Sequence, residues 1–264
     1  MNRKKLLKVL PWITTPGLVI VLLTVWELVV RGLGVNPLIL PPPTQIVVSL
    51  VDLLGDPATW VHVRVTVVEI IVGFVCAIVL GVVTGFVLGK SVLLEVSLRP
   101  LIVVAQVVPK VALIPLFVIW FGFGMTSKVI VATLLAFFPI MLNTLLGVRS
   151  VELGHREVMK SLNAGRWKTF TNLELRSVLP YLFTGMESAI VLAVIGTIVG
   201  EYLGGSEGLG YMVVTTLNAL DSPALFAVIA ILSVVGLALY FIVSSLKRFF
   251  IPWHESVYAH REIG

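Results

Sequence analysis

The sequence predicts an all-α integral membrane protein with six transmembrane helices, and two observations lead to this fold class. Apolar residues make up 58% of the chain and charged residues only 12%, with a mean hydropathy of +1.06, which is far outside the range of soluble domains. The apolar residues also fall into runs close to the roughly 20 residues that a bilayer-spanning helix needs. The six runs are Ile13–Val30, Val63–Gly89, Leu101–Phe123, Val129–Gly147, Tyr181–Leu203 and Leu225–Leu246.

These runs divide the chain into a first transmembrane helix over 13–30, an outer loop over 31–62 and a core transmembrane domain over 63–246. The core contains a long inner loop at 149–179, and the segments 1–12 and 247–264 form the two ends. The first run follows a basic start and could pass for a signal peptide. Its apolar stretch is long and no small-residue cleavage site follows, so we expect an uncleaved span.

The distribution of positive charge predicts the orientation in the membrane. Fifteen of the 19 Lys and Arg residues lie in the N-terminal segment, Lys90–Arg99, Arg149–Arg176 and the C-terminal tail. The positive-inside rule places these segments and both termini in the cytoplasm, and it places Glu201–Asp221, which has no Lys or Arg, outside. The net charge of +5 is therefore attributed to orientation, and no nucleic-acid partner is expected.

Two loops are predicted to do more than connect spans. The outer one contains Leu40-Pro41-Pro42-Pro43-Thr44 followed by helical periodicity to Leu54, which predicts a helix on the lipid interface with Thr44 as its N-cap. The inner one, Arg149–Leu179, is mixed in charge and too long for a tight turn. It is where a soluble partner could dock.

Small residues recur every four positions in the second span and predict close packing against another helix. They are Gly73, Ala77, Gly81, Gly85 and Gly89. The end of this series, running into Lys90-Ser91, resembles part of a phosphate-binding loop, but it has three residues between its glycines where that loop needs four. We therefore expect no nucleotide site in this chain.

Lys110 is the candidate residue for the translocation path because it falls near the middle of the third span, where a charge costs about 2.5–3.5 kcal/mol to insert. Pro109 and Pro115 flank it and should interrupt the helix, freeing carbonyl groups to face a cavity. The alternative is a structural ion pair with an intramembrane carboxylate, for which Glu27, Glu69 and Glu187 are the candidates. The sequence is compatible with direct contact between Lys110 and the solute, with an ion pair, or with both. Glu201, near the outer end of the fifth span, is expected to be solvated.

Neither a metal centre nor a catalytic site is predicted. The four histidines, His62, His155, His254 and His260, have no ligand spacing, and the single Cys76 has no partner for a disulfide. No Ser/His/Asp arrangement or pair of acids with a plausible cleft is present, as an intramembrane enzyme would require.

A segment of the inner loop resembles the coupling motif of the binding-protein-dependent ABC importer permeases. It reads Glu157-Val158-Met159-Lys160-Ser161-Leu162-Asn163-Ala164-Gly165, and Leu179-Pro180 follows. In the family the motif begins Glu-Ala-Ala, has a glycine a few residues on and ends near Leu-Pro. Here Asn163 stands at the usual glycine position and Arg176 replaces a frequent proline.

Three further segments resemble the branch of that family that imports nitrate, sulfonates, taurine and bicarbonate. They are Pro109–Leu116, Trp120–Gly124 and Ser206–Tyr211. The branch also includes permeases for pyrimidine vitamin precursors and riboflavin, and Pro109-Lys110-Val111-Ala112 is closer to that subgroup. The resemblance extends from about Leu40 to Leu246, in the family's order.

The resemblance implies the type I ABC importer permease fold and a place in the bacterial inner membrane. It also implies a homodimer of this chain, two cytoplasmic ATPase subunits that bind ATP and Mg, and an extracytoplasmic substrate-binding protein. In this interpretation a short cytoplasmic coupling helix around Glu157–Ala164, within the segment 157–165, docks on the ATPase. Pro109, Lys110, Glu69 and Glu187 are candidates for the translocation path of a small polar organic or anionic solute.

Two other classes of function are disfavoured by the sequence. An ion-gradient-driven secondary transporter should show internal repeats and broken helices in matching halves, and no convincing second copy of any segment is found. A membrane enzyme or assembly factor is disfavoured because no catalytic constellation is present. The sequence leaves the transported solute open.

Overall fold

The computed structural model describes residues 3–252, with side chains from Thr14 onward, and all regular elements in that part are helical. The α-helices are α1 Arg3–Gly32, α2 Pro43–Gly55, α3 Pro57–Lys90, α4 Val92–Val107, α5 Ile114–Phe121, α6 Met125–Arg149, α7 Leu153–Ser161, α8 Arg166–Thr169, α9 Leu175–Gly204, α10 Leu209–Asn218 and α11 Ser222–Phe250. A 3₁₀ turn, Lys110–Leu113, precedes α5, and a π-helical turn, Phe170–Glu174, joins α8 to α9. Most of the C-terminal tail, from residue 253 onward, lies outside the described residues.

Five stretches are long and apolar enough to cross a membrane, namely α1, α3, α6, α11 and the combined stretch from α8 to α9. A sixth span forms when α4 is taken with the 3₁₀ turn and α5, which together pass the same test but are bent by 78°. The predicted all-α membrane fold is confirmed.

The third predicted span, Leu101–Phe123, differs most from the structure. Its helix begins at Val92, so most of Lys90–Arg99, predicted as a loop, is helical. The helix ends at Val107, just before Pro109, whose ring removes a backbone donor and crowds the preceding turn. Pro115 lies in the first turn of α5, where the missing N–H costs nothing. Pro109 therefore breaks the span, and Pro115 starts a new helix.

The centre of the bundle is formed by α3, α6 and α9, which pack through small residues. A Cβ atom added at Gly73 would lie 2.6 Å from the Cβ atom of Ala132, and one at Gly185 would lie 2.9 Å from the Pro139 carbonyl oxygen. The backbones approach this closely only because the side chains are absent. The predicted packing role of the small-residue series is confirmed.

The outer helix α2 packs beside α11 and is held at its start by α1. Its N-cap position is occupied by Pro42 rather than by Thr44, so the predicted N-cap was wrong. Glu27 of α1 takes over the capping role, because its Oε2 accepts a hydrogen bond from the Thr44 N–H at 3.1 Å and its Oε1 accepts one from Thr44 Oγ1 at 2.8 Å. Glu27 is also paired with Arg31 at 2.5 Å.

The predicted inner loop, Arg149–Leu179, and the predicted loop Glu201–Asp221 both contain more helix than the sequence predicted. The fifth span begins within the predicted inner loop, since α9 starts at Leu175 and is preceded directly by α8 and the π turn. At the other end of α9, the predicted loop Glu201–Asp221 contains α10. We call the end of the bundle that carries α7 the loop end, and the end that carries residues 205–210 the opposite end.

Candidate functional site

At the loop end, α7 extends away from the bundle and exposes apolar side chains. Leu153, Leu162 and Trp167 are 77%, 70% and 75% exposed. The helix ends in a Schellman turn, in which the Ala164 N–H donates to the Met159 carbonyl oxygen and the Asn163 N–H donates to that of Lys160, both at 2.9 Å. Asn163 has φ of +50°, a conformation that favours Gly and Asn, which explains why Asn is accepted at the motif's usual glycine position.

The inner loop is connected to the rest of the bundle by aromatic and ionic contacts. Phe170 packs edge-on against Phe86 of α3 with ring centroids 5.7 Å apart, and Trp167 lies 5.9 Å from the same Phe170 ring. One turn further on, Glu174 is buried and forms an ion pair with Lys90 at the end of α3. A movement of the loop would therefore be passed directly to α3 and α9.

Lys110 lies at the bend of the third span, beside the middle of α6. Its Nζ donates to the Gln106 carbonyl oxygen at 3.0 Å and stands 4.8 Å from the centroid of the Phe138 ring. Within residues 14–252, Lys110 makes no ion pair. A half-buried ammonium with a carbonyl oxygen and a ring face as neighbours can attract an electron-rich group.

The carboxylates proposed as partners of Lys110 each pair with another cation. Glu69 binds Lys128, with Oε1 and Nζ 2.7 Å apart, and Glu187 binds Lys247 at 2.9 Å. Glu27 pairs with Arg31, as described above. The predicted ion pair of Lys110 with one of these carboxylates is therefore wrong for the described residues. Glu69 and Glu187 also do not join Pro109 and Lys110 in one cluster. The role of Lys128 was not predicted from the sequence, because this basic residue lies at the start of a span, where a solvated charge is the usual expectation.

Glu201 is fully buried, so the expectation that it is solvated was wrong. Its Oε1 accepts a hydrogen bond from Thr66 Oγ1 at 2.6 Å, and its Oε2 accepts one from the Gly210 N–H at 2.6 Å. Thr66 Oγ1 in turn accepts the Leu209 N–H at 2.8 Å. Glu201 therefore holds the first turn of α10 against α3.

The segment before α10 is fitted closely around this carboxylate. Gly208 has φ of +109°, and a Cβ there would overlap the Glu201 side chain. Its N–H donates to Nδ1 of His62 at 3.0 Å, and the Glu207 carbonyl oxygen accepts from Lys128 Nζ at 3.2 Å. The Gly208 and Gly210 positions, within the Ser206–Tyr211 segment, were the only sequence signal that pointed here.

A cavity of about 420 Å³ adjoins this region at the opposite end, between α3, the start of α6 and residues 206–207. Its lining includes two basic side chains, Arg64 and Lys128, and two acidic ones, Glu69 and Glu207, among apolar side chains. In the described part of the chain, no group of three or more His, Cys, Asp or Glu residues gathers as a metal site would require. His254 and His260 lie outside the described residues.

The described part of the chain is a helical, multi-pass membrane bundle with one broken span and a projecting loop helix. The chain belongs to the family of binding-protein-dependent transport system inner membrane components, whose model matches residues 77–254.

Curated relatives of this chain are also transport permeases. It is 37% identical over 236 residues to the formylaminopyrimidine transport permease protein ThiX of Halalkalibacterium halodurans, covering 89% of this chain and 94% of that protein. It is 32% identical to the riboflavin transport system permease protein RibX of Chloroflexus aurantiacus, covering 93% and 92%. It is 31% identical to the taurine transport system permease protein TauC of Escherichia coli, covering 91% and 90%. The chain is thus an ABC importer permease, a multi-pass membrane protein of a family that is not itself catalytic.

Proposed function

We propose that this chain, as a homodimer in the bacterial inner membrane, forms the translocation path of an importer driven by two cytoplasmic ATPase subunits. The ATPases bind ATP and Mg, an extracytoplasmic binding protein delivers the solute, and both termini of the permease are cytoplasmic. The family supports the need for an ATPase and a binding protein. The charge distribution of the loops supports the orientation.

The exposed helix α7 is the observation that carries this proposal. A solvated loop helix would present polar residues, whereas this one leaves Leu153, Val158 and Leu162 uncovered. Exposed large apolar side chains beside charged ones, such as Glu157 and Lys160, are typical of a surface that another protein covers. The whole coupling segment, residues 157–165, lies at this projecting end.

The contacts behind α7 support its role in coupling. The Phe170 ring and the Glu174 carboxylate join the loop to α3 and to the start of α9, so a push on α7 by a closing ATPase reaches two of the three central helices. Binding energy at the loop end would then shift the equilibrium between inward-open and outward-open states.

The solute path is proposed to pass the bend at Pro109 and Lys110. The bend interrupts the helix at the position of Lys110, and the Lys110 ammonium near mid-bundle favours a small polar organic or anionic solute. The named solutes of the relatives, formylaminopyrimidine, riboflavin and taurine, are all polar organic molecules. Glu69 and Glu187 remain path candidates only if their ion pairs open during transport.

The docking surface can be tested by crosslinking in the assembled complex. Cysteine at Ser161 or Ala164 should crosslink to the ATPase, and cysteine at Ser206, at the opposite end, serves as the matched control and should not. Glu157→Lys should uncouple solute-stimulated ATP hydrolysis from transport while leaving the spans folded. Absence of any crosslink from the two loop positions in an assembled complex would refute the docking assignment.

A further inference from the structure

Three ionisable side chains are enclosed together at the opposite end. Glu69, Lys128 and Glu201 are 2%, 4% and 0% exposed, although they come from three different helices. One ammonium thus faces two carboxyl groups, and full ionisation of all three would leave a net negative charge inside the bundle. An uncompensated buried charge is among the most destabilising features that a folded protein can contain.

The hydrogen bonds of the two carboxyl groups leave one oxygen atom without a partner. Both oxygens of Glu201 accept hydrogen bonds, from Thr66 and Gly210, and Oε1 of Glu69 accepts one from Lys128. Oε2 of Glu69 is buried and has no partner among the described residues. The two carboxyl groups are held in one enclosed cluster. Thr66, which donates to Glu201, precedes Glu69 by about one turn of α3, and Lys128 Nζ, which binds Glu69, also binds the carbonyl oxygen of Glu207 beside the Glu201 side chain.

The other titratable groups around the pair do not supply the missing positive charge. His62 uses Nδ1 to accept the Gly208 N–H, so this nitrogen donates no hydrogen bond to the carboxyl groups. Arg64 and Glu207 are exposed on the cavity wall, where water screens both charges. Tyr211 of α10 packs beside the His62 ring. The buried charge must therefore be balanced among Glu69, Lys128 and Glu201 themselves.

We propose that Glu69 and Glu201 share one bound proton, which makes the cluster with Lys128 electrically neutral. The proton is taken up from solvent, fills the position next to Glu69 Oε2 and leaves one carboxylate to balance the ammonium. The proton site also controls the first turn of α10, because Glu201 and Thr66 bind the N–H groups of Gly210 and Leu209. Loss of the proton would leave two carboxylates beside one ammonium, and their repulsion would push Glu201 and the first turn of α10 away from Glu69.

The proton can be observed directly by infrared difference spectroscopy of the full-length chain in lipid nanodiscs. A protonated carboxyl group has a C=O stretching band that is distinct from those of carboxylates, and this band should be present in the unmodified protein. It should disappear in both Glu69→Gln and Glu201→Gln. Glu187→Gln is the matched control, because Glu187 is in a one-to-one ion pair with Lys247, and it should leave the band unchanged.

Thermal melting of the same samples tests the charge balance. Each single Gln variant keeps one carboxylate for Lys128, so its melting temperature should remain close to that of the unmodified protein. The double variant E69Q/E201Q strands the ammonium, and its melting temperature should fall by roughly 10 °C. Adding Lys128→Met to the double variant should restore most of that loss, which separates charge imbalance from lost packing.

Three results would overturn the proposal. The carboxyl band could be missing from the unmodified protein, or each single Gln variant could melt well above it, as expected when a net negative charge is removed. The melting temperature could also rise with Na⁺ or K⁺ at constant ionic strength, which would assign the position to a metal cation. Because the chain is measured alone, none of these results depends on its assembly with an ATPase.

Discussion

The close approach of α3 and α6 can be tested by adding a single methyl group at Gly73. In Gly73→Ala the new Cβ would lie 2.6 Å from the Cβ of Ala132 and 3.3 Å from the Val129 carbonyl oxygen. Neither neighbour can rotate away, since both atoms belong to the backbone or are attached directly to it. The two helices must therefore separate.

The expected free-energy change is the balance of two effects. Overpacking a well-filled contact costs about 1–3 kcal/mol, whereas Gly→Ala inside a helix gains about 0.5–1 kcal/mol. Gly73→Ala should thus be destabilising by about 1 kcal/mol or more. Gly236→Ala in α11 is the matched control, because its Cβ would only touch Val194 Cγ1 at 3.6 Å. This variant should therefore show only the stabilisation that Ala brings inside a helix.

Thermal melting of the purified permease in detergent or nanodiscs measures both variants under one condition. The two opposite effects should separate their melting temperatures by roughly 5 °C, with Gly73→Ala the lower. If Gly73→Ala melts as high as Gly236→Ala, the two helices do not pack through the glycine face.

Three other outcomes are expected. Lys110→Met should allow assembly with the ATPase but reduce solute-stimulated hydrolysis, with arginine at this position retaining part of it; full activity of the Met variant would remove Lys110 from the path. Asn163→Ala should destabilise the turn after α7 by about 1 kcal/mol, a roughly fivefold loss in its folding equilibrium constant, because at φ of +50° the short polar side chain of Asn is tolerated and the methyl group of Ala is not. Asn163→Gly should not destabilise the turn, and ATPase binding by the two variants distinguishes them. Cysteine labels at Ser206 should react from outside intact cells and labels at Ser161 only from the cytoplasm, and the reverse pattern would overturn the proposed orientation.

The spans were predictable because membrane crossing depends on length and composition, which are local properties of the sequence. The packing face of α3 could also be predicted, since a period of four residues places its glycines on one side of a helix. The break at Pro109 follows from the chemistry of proline. The 78° angle does not, because it depends on what the two halves pack against.

The buried cluster at the opposite end could not be predicted, because its partners are distant in the chain. Glu69 and Lys128 are separated by 59 positions, and Thr66 and Glu201 by 135. Glu201 lies near the end of a span and was expected to reach solvent. It is buried because residues 205–210 fold back over it, and only the glycines at 208 and 210 hint at such an approach.

The π-helical turn Phe170–Glu174 sets the rotational phase between the coupling segment and the span that follows it. A π turn accommodates one more residue than an α turn, and one residue corresponds to about 100° of rotation around an α-helix axis. Deleting one residue here would let the chain continue as an unbroken α-helix and would turn the docking surface through about a quarter of a circle relative to α9. If residues 157–165 dock on the ATPase as proposed, a single inserted residue sets the direction of that surface relative to α9. Homologous chains should then keep the length of this turn even where its side chains differ.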